Sequence, residues 1–211
     1  DNEALLPGVA FFDMPVLTRA EVTGQRDGAD PSASEQLRAV REYLERPFET
    51  MEAMYAEAAL GEQGMASYRG FLDLLLESPE GATLWHCTEG KDRAGMGAAL
   101  VECVLGVARE DILRDYLATN LFVQTWAERM LGRLAEHGIL EKANDDVSAL
   151  FYAHRQLLGG AVQLVEAEYG SIERYVAEGL GFDAGKQAAL RELYLVDPAA
   201  YGEEMLAAAQ A

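Results

Sequence analysis

The chain of 211 residues is half hydrophobic and carries 36 acidic against 17 basic side chains, a formal charge of −19. That balance excludes long-range attraction to nucleic acid or to anionic membranes, and two cysteines exclude a disulfide framework and suit a reducing compartment. No apolar run approaches the roughly 20 residues of a membrane-spanning helix, so no stable membrane insertion is expected. Without repeats, low-complexity tracts or heptads, residues 1–211 read as one domain. The opening Asp1-Asn2-Glu3 lacks a signal-peptide pattern, which leaves a cytoplasmic or an exported protein as the expectation.

In chain order, Val9 to Phe12 reads as a short buried strand closed by Asp13-Met14-Pro15. Thr23 to Pro31 is a polar loop, and Ser32 with Glu35 fits a capping box that opens a helix through about Leu44. Pro47 interrupts it, and helical patterns follow over about 48–60 and 66–77. Ser78-Pro79-Glu80-Gly81 is a turn, after which Ala82 to Trp85 reads as a second buried strand. The loop His86 to Arg93 leads into a helix over 95–105, and further helices fit 109–118, 121–136, 145–168, 171–178 and 184–194. The order predicts an α/β fold, a small and mostly parallel sheet flanked by helices, with a helix-rich C-terminal half.

The informative stretch is His86-Cys87-Thr88-Glu89-Gly90-Lys91-Asp92-Arg93-Ala94-Gly95. Cysteine-based phosphoryl transfer needs a thiolate near neutral pH, although a free thiol has a pKa of about 8.5. Backbone N–H groups of a tight loop, aimed at one point, bind phosphate and stabilise that thiolate. A helix beginning at the loop's far end adds its positive dipole end. A planar guanidinium holds two equatorial oxygens as charge redistributes. Here Cys87 is the candidate nucleophile and Arg93 the phosphate clamp, and Gly90 lets the backbone curl. His86, Thr88, Glu89, Gly90, Lys91, Ala94 and Gly95 complete the candidate phosphate-binding loop. No cofactor and no metal are expected. A Cys-x5-Arg spacing alone is weak, but the full string between a strand and a helix is specific.

That string resembles the phosphate-binding loop of the atypical bacterial tyrosine phosphatases, which include secreted mycobacterial and listerial enzymes acting on phosphotyrosine, phosphoserine/threonine and phosphoinositides. Asp115-Tyr116-Leu117-Ala118-Thr119-Asn120 is similar to a helix-borne segment of that family, and Tyr169-Gly170-Ser171 through Tyr175 is similar to its C-terminal pattern. The resemblance covers about residues 65–200. It implies hydrolysis through a phosphocysteine intermediate and a phosphorylated protein or phosphoinositide substrate. It also implies lid helices over about 121–150. Two departures stand out. The family's Asn-Phe-Arg-Asp-type opening and its strand ending Asp-Leu-Arg have no counterpart, so the chain is expected to begin after them. Ala94 stands where the family has a hydroxyl that stabilises the departing thiolate, which implies slow hydrolysis of the intermediate.

Asp92 is the leading candidate for the general acid, because it lies in the loop; alternatively it pairs with Arg93 or caps the helix. Asp13, Asp27 and Asp30 are rivals. Lys91 either contacts a second phosphate of a phosphoinositide ring or is a solvated charge that raises the local potential. Glu89 is expected to turn outward. Cys103 and the stripe Phe122, Trp126, Met130 and Leu134 read as packing, and His137 and His154 show no ligand spacing. A phosphate-binding module with impaired turnover is the competing function.

Overall fold

The computed structural model of the protein describes residues 8–18, 43–77, 81–138, 140 and 146–196. The helices are α1 (Pro47–Leu60), α2 (Glu62–Glu77), α3 (Asp92–Leu105), α4 (Arg109–Glu136) and the single turn α5 (Ser148–Phe151). They are followed by α6 (Arg155–Tyr169), α7 (Ile172–Arg174), which passes into a π-helical turn at Tyr175–Gly179, and α8 (Ala184–Tyr194).

Residues 43–45 are helical and the helix breaks at Arg46, as expected, and Pro47 then opens α1, where its missing N–H falls on a position for which a helix has no acceptor. Met51, Tyr55, Ala58 and Ala59 bury one face of α1. Only Gly61 separates α1 from α2. A Cβ at Gly64 would lie 2.1 Å from the Ala58 carbonyl oxygen, so the tight crossing of the two helices requires glycine there. Tyr68, Phe71, Leu72 and Leu75 of α2, Met96 to Val104 of α3, and Leu157, Leu158, Ala161 and Val165 of α6 complete one core. α6 runs along α1, and α8 closes the far side over α2 and α3 through the fully buried Leu190. Polar ties fix the margins. Arg69 donates to the carbonyls of Leu180 and Gly179 at 2.7 and 3.1 Å, which holds the π turn. Gln63 and Ser67 both donate to the Pro15 carbonyl at 2.7 Å.

The expected sheet is absent: the described residues contain no strand. Ala82 to Cys87 has no regular secondary structure, Leu84 is 88% exposed and no described segment pairs with the run. Val9, Phe11 and Phe12, read above as a buried strand, are also exposed. A ladder needs a hydrogen-bonding neighbour, and an apolar run of four residues does not supply one. The described core is therefore built helix on helix. The loop at 23–31, residues 32–42 of the helix expected from Ser32 and residues 78–80 of the turn expected over 78–81 lie outside the described residues.

Two helix expectations change. The pair at 109–118 and 121–136 is one continuous helix, about 42 Å long at 1.5 Å per residue. The single helix at 145–168 is broken at 152–154, where Tyr152 and His154 are extended. This break, with α5, forms a strap across the N-terminal end of α3. Leu157 is 1% exposed in the core. Leu157→Ala is expected to destabilise the fold by about 2–5 kcal/mol. Urea denaturation checks this, as a lower midpoint with an unchanged m-value.

Candidate active site

The irregular run 82–87 carries Cys87 to the N-terminal end of α3, and residues 88–91 curl between them. Gly90 has a φ of 68°, the left-handed conformation that the curl needs and that glycine adopts without a side-chain penalty. α3 begins at Asp92, three residues before the expected start. Burial by itself would push the half-buried Cys87 thiol up. The N–H groups of Ala94, Glu89 and Gly90 and the Arg93 charge outweigh it and hold the thiol below its usual range.

Arg93 Nη2 donates to Thr88 Oγ1 at 2.9 Å, and its carbonyl accepts from the Tyr68 hydroxyl at 2.9 Å. Arg93 Nε is buried with no hydrogen-bond partner, the one such side-chain atom among the described residues. A buried guanidinium N–H in that state is free to bind an anion. Trp85 Nε1 donates to the Ala94 carbonyl at 3.2 Å, and His86 Nδ1 donates to the Cys87 carbonyl at 2.9 Å. A Cβ on Gly95 would meet the Tyr116 ring at 3.0 Å, so α3 approaches α4 closely at this point. The Glu89 residue is exposed, and only its N–H addresses the sulfur.

Lys91 and Asp92 point the other way. Lys91 is 0% exposed, and its ammonium donates to the carbonyls of Leu150, Tyr152 and Ala149 at 3.0, 3.4 and 3.5 Å. This corrects the reading of Lys91 as a solvated charge or a contact to a second phosphate, since its donors are taken by the strap. Asp92 Oδ1 accepts from the Tyr55 hydroxyl at 2.8 Å, and its other oxygen lies 3.6 Å from Lys91 Nζ. Asp92 thus pairs with Lys91 rather than Arg93. Burial holds its carboxyl above the usual carboxylate range, against the pull of Lys91 and Tyr55.

Tyr55, Tyr68, Tyr116 and Asn120 were given no role from the sequence. Tyr116 and Asn120 do lie four residues apart in the segment Asp115 to Asn120, which places both on one face of α4. The rival acid Asp13 is exposed, and Asp27 and Asp30 lie outside the described residues. Cys103 is half-buried on α3, its thiol pushed up to about 11 by burial and Glu173. His137 ends α4, and His154 Nε2 lies 3.1 Å from Ser148 Oγ.

The profile described as the tyrosine phosphatase family matches residues 2–196. The chain belongs to that family. A protein of Cupriavidus necator, named "Putative tyrosine-protein phosphatase", is 34% identical over 112 residues. The match covers 53% of this chain and 39% of that relative, so the chain spans well under two thirds of the relative's length. No helix among the described residues is long and apolar enough to cross a membrane.

Beside the loop, Trp85, Gly90, Ala94, Glu102, Asp115 and Thr119 line a cavity of about 170 Å³. Burial and the charge of Asp115 push the Glu102 carboxyl up to about 7. The folded protein therefore retains a proton that the unfolded chain releases near 4.5, and stability from this group falls as pH rises between those values. Glu102→Gln should gain stability relative to the wild type from pH 5 to pH 8, read as melting temperatures across the range.

Proposed function

We propose that the protein hydrolyses phosphate monoesters through a phosphocysteine on Cys87, with phosphotyrosine as its main substrate and phosphoserine and phosphothreonine as further ones. The observation that carries this reading is the loop itself. Three N–H groups converge on a thiol held below its usual range, beside a guanidinium with a buried, unpartnered Nε. The likeness of the string His86 to Gly95 to the atypical bacterial tyrosine phosphatases supports the same chemistry.

In the first step Cys87 Sγ attacks phosphorus, the S–P bond forms and the ester P–O bond breaks. Arg93 and the loop N–H groups hold the phosphoryl oxygens as charge spreads over them. The leaving oxygen takes its proton from solvent, since Asp92, the acid expected from the sequence, is turned beneath the loop towards Tyr55 and Lys91. In the second step water attacks phosphorus and gives up its proton to solvent, and the S–P bond breaks to release orthophosphate and the thiolate. Ala94 offers that departing thiolate an N–H but no hydroxyl, which supports a slow second step.

A phosphoinositide substrate rested on Lys91, and the engagement of its ammonium with backbone carbonyls removes that support. Phosphate release from para-nitrophenyl phosphate near pH 6 tests the proposal. The wild type should turn over and Cys87→Ser should lose essentially all rate; equal rates in the two would sink thiol catalysis. A wild type that binds phosphate without turnover would be a binding module. Asp92→Asn should lower kcat/KM by a similar factor, about 10-fold, on an alkyl phosphate and on para-nitrophenyl phosphate, because Asp92 holds Tyr55 and Lys91 rather than the leaving oxygen. A loss much larger on the alkyl phosphate would make Asp92 the acid after all.

A further inference from the structure

A fully buried ammonium needs partners on every side, because an unpaired buried charge is far costlier than a paired one. Lys91 meets that need with three carbonyls of the strap, those of Ala149, Leu150 and Tyr152, and with the Asp92 carboxylate 3.6 Å away. The strap is held again from α4. Asn120 Nδ2 donates to the Ala153 carbonyl at 2.9 Å, and Ala153 N–H donates to Asn120 Oδ1 at 2.7 Å. The next N–H, that of His154, bonds to the Tyr116 hydroxyl. Tyr116 and Tyr55 hydroxyls lie 2.7 Å apart, and Tyr55 donates to Asp92. The contacts form a closed ring, which runs from Lys91 through the strap, Tyr116 and Tyr55 to Asp92 and back through the 91–92 peptide bond.

From this ring we propose that Lys91 is a positioning residue that shapes the phosphate loop through the strap, and that the site reads a single phosphate group. The inference rests on the phosphatase reading above. Lys91 follows Gly90, whose N–H addresses the Cys87 sulfur, and precedes the first residue of α3. Anchoring its side chain beneath the loop fixes the backbone on either side. The N–H groups of Glu89, Gly90 and Ala94 are then aimed before any substrate arrives. Arg93 is left as the cationic side chain of the loop that is not bound beneath it. A substrate with additional phosphates finds no further loop cation, because Lys91 is 0% exposed.

The ring makes a prediction that simple charge removal does not. Asn120 carries no charge and bonds the strap rather than the loop, so a change at the sulfur in Asn120→Ala reports geometry. The experiment uses the full chain in a Cys103→Ser background and compares Lys91→Met, Asn120→Ala and the double variant. Alkylation of Cys87 by iodoacetamide against pH gives the thiol's titration. Each single variant is expected to move it up by about one unit, and the double variant little further, since both break the same ring.

In parallel, kcat/KM on para-nitrophenyl phosphate should fall about 10- to 100-fold, mainly through kcat. The fall on a soluble inositol bisphosphate should match it within about threefold. Additive shifts, an unmoved titration in Asn120→Ala, or a loss confined to the bisphosphate would each overturn the proposal. If Lys91→Met does not fold, Asn120→Ala carries the test alone. A wild type without turnover would end the phosphatase reading, while the alkylation curves would still decide whether the ring positions the loop.

Discussion

Everything at this site depends on the demand that three N–H groups point at one sulfur atom. A thiolate half-buried against a helical core is disfavoured by desolvation, and for Cys87 that is the largest single influence. Only the coincident directions of the Glu89, Gly90 and Ala94 N–H groups, with Arg93, reverse it. Five residues of loop cannot hold such a convergence unaided, since each ordered residue gives up roughly 1–2 kcal/mol of backbone freedom. The rest of the architecture reads as the means of holding it. α3 starts at Asp92 beneath the loop, Tyr68 fixes the Arg93 carbonyl, Trp85 fixes that of Ala94, and the strap fixes Lys91.

Under the proposed chemistry the same demand explains how a chain of charge −19 can take a dianion. Long-range potential is screened within about 8–10 Å at physiological salt, whereas hydrogen bonds at contact distance are not. Acidic residues elsewhere can therefore serve solubility without defeating the loop, provided that none turns its carboxylate into it. Glu89 contributes its backbone there and lies exposed, and Asp92 is turned beneath the loop towards Tyr55 and Lys91.

Much of this was legible in the sequence, and the failures have physical causes. The loop string carried the site because the types and spacing of Cys87, Gly90 and Arg93 are dictated by short-range geometry. Helices at 48–60 and 184–194 were visible because their apolar positions repeat at helical spacing. Ala82 to Trp85 and Val9 to Phe12 misled because four apolar residues do not reveal whether a pairing partner exists; Leu84 is instead 88% exposed. The break at 152–154 was invisible because its cause lies far along the chain, 61 residues away in the Lys91 ammonium and 33 away in the Asn120 amide. Lys91 was misread for a related reason: a loop sequence states which charges are present and not which side of the backbone they leave from.

That last point separates the two halves of the Lys91-Asp92-Arg93 triplet. Successive side chains at the start of a helix fan out by about 100° each, since 3.6 residues make a turn, so three neighbours cannot all face one ligand. Arg93 keeps a buried Nε without a partner, while Lys91 and Asp92 share the opposite side with Tyr55 and the strap. A lysine that contacted substrate would leave the carbonyls of Leu150 and Tyr152 without their donor, and the strap would lose its tie to the loop. In the proposed chemistry, phosphate clamping and loop anchoring are therefore divided between the two cations by helix geometry, and neither can assume the other's role without the loop changing shape.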